Sequence, residues 1–123
     1  MVHRHIQDMS NVTVYEKRTC TTCRQVADLL RSRGIEYDEV QYHVEGISQQ
    51  RIRELLAMAG IQARDALRMR EEGAAELATA PEDEIIAAME ARPELLQRPI
   101  VVRGDRAVLA RPPEKVLELF NPA

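Results

Sequence analysis

The sequence predicts an α/β fold with a small mixed sheet, ordered β-α-β, helical insert, β-β-α. Three observations predict it. A β-branched run near the start switches at once to apolar residues at helical spacing. Two short β runs near the end flank Gly104-Asp105. Between these units, apolar residues recur at helical intervals. At 123 residues the chain is one domain, long enough to bury a core without staples.

Residues 1–10 carry no apolar h-region and read as an N-terminal extension, not a secretory leader, ahead of a domain spanning 11–123. NVTVY (11–15) is the first strand. Cys23, Val26, Ala27 and Leu30 then form one apolar helix face, which Gly34 closes after Arg31 and Arg33. IEYDEVQY (35–42) reads as a second strand. Ser48 caps a helix with apolar face Ile52, Leu55, Leu56 and Ala59, ended by Gly60. ARDALRMREEGAAEL (63–77) reads as helical, broken near Gly73. Thr79 and Glu82 have capping-box spacing before a helix through Ile85, Ile86 and Met89, which Pro93 stops. PIVVR (99–103) and RAVLA (106–110) make a tight hairpin. PPEKVLELF (112–120) opens with proline at its first helical turn.

Composition narrows the partners. A formal charge of -3 and a pI near 5.6 argue against direct nucleic-acid binding. No apolar run is long enough for a membrane span. Two cysteines without an export signal point to a reducing cytoplasm, where C-x-x-C is catalytic or metal-binding more often than structural. Lys17 and Lys115 are the only lysines among 17 basic residues, and the arginine forks that remain suit oxyanions. Most of those arginines are expected on solvated faces. A monomer is the default expectation.

Cys20 and Cys23 sit at the strand-to-helix junction. Cys20 precedes the first turn, where free N–H groups and the positive dipole end stabilise a thiolate. Cys23 shares the apolar stripe and is expected to be buried. Adjacent helical turns bring Cα atoms to about 5–6 Å, within disulfide reach. Cys20 is therefore the attacking thiolate and Cys23 the candidate resolving thiol. Arg24, Lys17 and Arg18 add positive charge that would also receive an anion. Two minor alternatives stay open. One is a pair of inert structural thiols. The other is a zinc site, for which His3, His5 and His43 lack the usual spacing.

From Val12 to Phe120 the chain resembles the glutaredoxin-linked arsenate reductases, a thioredoxin-like group that also contains the Spx regulators. LLQRPIVVRGDRAVLARPPEKVLELF (95–120) carries the family's Arg-Pro-Ile-Val-Val segment and its later Arg-Pro; ARDALR (63–68) resembles the segment supplying another arginine. The resemblance implies a thioredoxin-like fold, reduction of arsenate to arsenite, and no tightly bound cofactor. Glutathione is the implied co-substrate, with glutaredoxin or thioredoxin as electron donor. It puts Cys20 in the place of the nucleophile, Arg68, Arg98 and Arg111 in the place of oxyanion ligands, and Arg24 at the end of the active loop. Pro99 falls where the fold carries a proline, usually cis, beside the active cysteine.

Three local features depart from the pattern. Cys23 replaces a small hydroxyl residue, Glu16-Lys17-Arg18-Thr19-Cys20 replaces His-Asn-Pro-x-Cys, and Thr21 replaces the common glycine. The second thiol offers a Cys20–Cys23 disulfide in place of one glutathione step. CTTCR also resembles the Spx branch, so the alternative expectation is a redox switch acting on RNA polymerase.

Overall fold

A computed structural model describes residues 11–120; the expected extension at 1–10 lies outside them. Strand β1 (Val12–Tyr15) lies inside a four-stranded sheet of order β2-β1-β3-β4. It runs parallel to β2 (Asp38–Val40) and antiparallel to β3 (Ile100–Arg103), and β3 pairs antiparallel with β4 (Arg106–Leu109). Arg103 pairs with Arg106, so Gly104-Asp105 is a two-residue turn, and Gly104 takes the positive φ of 62° that such turns need.

The alternation of side chains along the strands builds two cores. On one face Val12, Val14, Val101 and Val108 pack with Val26 and Leu30 of α1 (Thr21–Ser32) and with Val116 and Leu119 of the 3-10 helix Pro113–Phe120. On the other, Tyr15, Ile100 and Val102 pack against the insert. There α3 (Gln49–Ala59) contributes Ile52, Leu55 and Leu56, and α5 (Glu82–Ala91) contributes Ile85, Ile86 and Met89. Leu30 is fully buried in the first core, so Leu30→Ala is expected to cost roughly 2–5 kcal/mol. The layering is the expected thioredoxin-like one, with the helical insert covering one sheet face.

Several local signals hold. Ser48 caps α3 by accepting from the Arg51 N–H at 3.1 Å, and Gly60 ends it in the left-handed region. Gly34 follows α1 at φ 71°. Four expectations need correction. The second strand covers only 38–40, because Tyr42 leaves the sheet edge for a buried turn, α2 (Tyr42–Glu45), where its hydroxyl donates to the Leu96 carbonyl. Residues 63–77 are not one helix. A 3-10 turn (Ala63–Ala66) leads to a bridge between Leu67 and Leu96, then a turn, then α4 (Ala74–Leu77). Burial of Ala66 and Leu67 and the Leu96 pairing override helical spacing there. Thr79 does not cap α5. Pro81 holds that position, and the Glu82 carboxylate instead accepts from the Ala63 N–H at 3.0 and 3.2 Å. The last helix is 3-10 throughout. Among the described residues no helix is long and apolar enough to cross a membrane.

Candidate active site

The loop from Glu16 to Cys20 is fixed by its own backbone. The Glu16 N–H donates to the Val40 carbonyl at 3.0 Å, extending the β1–β2 pairing, and the Cys20 N–H closes a turn onto the Lys17 carbonyl at 2.9 Å. Cys20 is the N-cap of α1, with extended φ, ψ of −78° and 127°, and its carbonyl accepts from the Arg24 N–H at 3.1 Å. An N-cap side chain faces the unpaired N–H groups of the first turn.

Cys20 is half-buried and Cys23 fully buried, both as free thiols. Burial raises the Cys20 pKa, but the Cys23 N–H, the Cys23 thiol, the Thr22 N–H and the Arg98 charge together bring it below the ordinary value. The sulfur makes no conventional cap bond, so its stabilisation belongs to the ionised form. Burial pushes Cys23 the other way, up to about 12, and the neighbouring Cys20 sulfur adds to the rise. One sulfur is thus ready to ionise while the other holds its proton.

Cys20 lines a hollow of about 240 Å³ with Thr19, Thr21, Thr22, Arg68, Arg70 and Arg111. Backbone bonds converge the arginines. The Arg68 N–H donates to the Leu95 carbonyl at 2.8 Å and the Gln97 N–H to the Ala66 carbonyl at 2.8 Å, which ties the Arg68 loop to the segment bearing Arg98. The Ala110 N–H reaches the Pro99 carbonyl at 3.0 Å, and Arg111 Nη1 donates to the Arg98 carbonyl at 2.9 Å. The Arg98–Pro99 and Arg111–Pro112 bonds are both cis.

Arg98 does not line the hollow. It is 3% exposed, paired with Glu94 at 3.2 Å, and its charge reaches Cys20. Arg68 donates to Gln97 Oε1 at 3.0 Å. Burial, with Arg98 and Arg70 close by, holds the Arg68 pKa below the usual guanidinium range. The buried Nε atoms of Arg68 and Arg98 have no hydrogen-bond partner among the described residues. Arg68 Nε lies 3.6 Å from Glu71 Oε2, an ion pair too long for a hydrogen bond, so both Nε donors keep hydrogen-bonding capacity.

Arg24 is placed differently. Its Nη1 donates to the carbonyls of Thr19 at 3.2 Å and Arg18 at 3.5 Å, gripping the loop, and it lines the neighbouring hollow beside Glu16. Arg70, which sequence reasoning missed, lines the Cys20 hollow. A helix through 63–77 would turn residue 70 well away from residue 68. In the turn that actually forms, both border the same space.

The architecture is thioredoxin-like, and its helix start sets a thiol of lowered pKa in a hollow with three arginines. The chain belongs to the ArsC family, whose profile matches residues 15–119. It is 35% identical over 115 residues to the uncharacterized protein YfgD of Escherichia coli K12, covering 89% of this chain and 97% of that protein. An arsenate reductase of Escherichia coli is 35% identical over 119 residues, covering 94% and 84% respectively. The solved arsenate reductase from Vibrio cholerae superposes with a TM-score of 0.81 at 33% identity, over 87% of this chain and 95% of that one.

Proposed function

We propose that this protein reduces arsenate, or a closely similar oxyanion, to the trivalent acid through a covalent bond to Cys20. The observation that carries the reading is the gathering of arginines, Arg68 and Arg111 in the hollow and buried Arg98 acting on its sulfur, around a thiol that ionises early. Family membership supplies the substrate class.

The obstacle is anion attacking anion. Forked contacts from Arg68 and Arg111, with the buried charge of Arg98, offset both the substrate and the adduct. The Cys20 thiolate bonds to arsenic and hydroxide leaves. A second sulfur then attacks the Cys20 sulfur. The new sulfur–sulfur bond forms as the sulfur–arsenic bond breaks, and the electron pair stays on arsenic, which departs as arsenite. Cys23 stands where it can be that second sulfur; glutathione, followed by glutaredoxin, is the other source. The Cys20–Cys23 route passes electrons in from a thioredoxin-type donor. An RNA polymerase switch has no need of three arginines gathered about its thiol, which favours the reductase.

The deciding experiment measures arsenate-dependent NADPH oxidation with the glutathione–glutaredoxin system and with the thioredoxin system separately. Arsenite formed with either supports the reading, and its absence with both overturns it.

A further inference from the structure

Across the active loop from the Cys20 hollow lies a second one, of about 320 Å³, with a carboxyl group in its wall that the chemistry above does not use. Glu16 is 3% exposed, and among the described residues only Arg98 is another buried polar or charged side chain. Its place directly after β1 puts Glu39 of β2 beside it. Arg18 forks onto Glu39, Nε at 3.0 and 3.1 Å and Nη2 at 2.6 Å, so Glu39 is held as the carboxylate. Two adjacent carboxyls cannot both ionise cheaply, and the buried one keeps the proton.

The groups facing Glu16 come from every element around it. Arg31 of α1 offers positive charge, and Tyr37, just before β2, lines the same hollow; Arg24 and Asp28 complete its α1 wall. Cys23 lies on that helix one turn before Ala27, also a lining residue, and its sulfur is next to the Lys17 N–H, one residue from Glu16. The thiol that must lose a proton therefore lies near the one buried acid able to exchange it, close enough to feel its charge. The hollow gives that acid a route to solvent.

We infer that the Glu16–Glu39 pair is the proton carrier for Cys23, taking its proton directly or through one water when the Cys20–Cys23 disulfide closes. This rests on the two-cysteine reading above and deepens it. In closure from a Cys20–glutathione disulfide, the Cys23 proton passes to ionised Glu16. The Cys23 sulfur bonds to the Cys20 sulfur, and glutathione leaves as its thiolate. Cys23 is oxidised to the disulfide level and the glutathione sulfur is reduced. Reopening reverses the path, with Glu16 returning the proton to the departing Cys23. Glu16 suits both directions because burial and Glu39 push its pKa up to about 8, close to working pH.

The test loads Cys20 with glutathione by reaction with glutathione disulfide and follows glutathione release by rapid quench, from about pH 6 to about pH 10. The wild-type rate is expected to rise with pH and level off above an inflection near 8. Glu16→Gln is expected to slow release about 100-fold and abolish the inflection. Glu39→Gln, which keeps Glu16, is expected to move the inflection to lower pH because the partner that holds the proton is gone. An unchanged pH profile in either variant overturns the inference. Wild-type protein that never releases glutathione overturns the two-cysteine reading itself, and release without any inflection leaves that reading standing while this inference falls.

Discussion

Two arginine-rich hollows flank one five-residue loop, and they behave as opposites. The Cys20 hollow presents Arg68, Arg70 and Arg111 with three threonines and no carboxylate in its wall. The neighbouring hollow also presents three arginines, Arg18, Arg24 and Arg31, but sets Glu16, Asp28 and Glu39 among them. Guanidinium count is equal; what differs is whether carboxylates stand in the wall beside them. Arg18 is committed to Glu39 by three short hydrogen bonds and Arg24 to backbone carbonyls, whereas Arg68 meets Glu71 only at 3.6 Å, from outside the wall of its hollow. On the function proposed above, one side receives an anion and the other stores a proton.

The contrast can be broken hardest at sulfur. Cys20→Ser is expected to reduce arsenite formation to background with either donor system. Next, Arg68→Ala or Arg111→Ala is expected to lower kcat/KM for the oxyanion by roughly 10²–10³, the usual loss for one preorganised donor. Arg24→Ala, on the other side, is expected to cost less than about tenfold, acting through the loop it grips. Similar losses from both sides would erase the distinction.

The pH responses should also separate. The Cys20 pKa lies below its ordinary 9.0, so alkylation of that sulfur should reach half its maximal rate at a lower pH than for a free thiol. Added arsenate should slow it, and Arg98→Met should move the midpoint up by removing a charge that favours the thiolate. The smallest expected effect is on stability. Glu39, with its pKa brought down to about 2 chiefly by Arg18, contributes stability above 4.5 that is lost as pH falls toward 2. Glu16, raised to about 8, has the opposite sign: its stability cost begins above 4.5 and is complete above 8. Thermal melts should therefore show Glu16→Gln gaining a few degrees at pH about 9, roughly the response to 1 kcal/mol.

Much of the frame was legible in the sequence. The β-branched run, the Cys23–Leu30 stripe, Ser48, Gly60 and Gly104 each carry a local signal that tertiary structure left alone. Residues 63–77 show the limit. Their helical spacing is real, but Leu67 gains more by pairing with Leu96, and only the folded chain shows that Arg70 shares the hollow with Arg68. The cysteine asymmetry was readable because a helix start is a local electrostatic fact. The Glu16–Glu39 pairing was not, because it depends on which residues of two parallel strands come to adjoin.

The short bridge between Leu67 and Leu96 has a mechanical meaning. It is where the insert is stitched to the run leading into β3, and the chemistry-bearing arginines hang from either side of the seam. An oxyanion gripped from both sides acts as a clasp across it. Cargo held in that grip should delay melting of the occupied protein, and its departure should leave the seam easier to part.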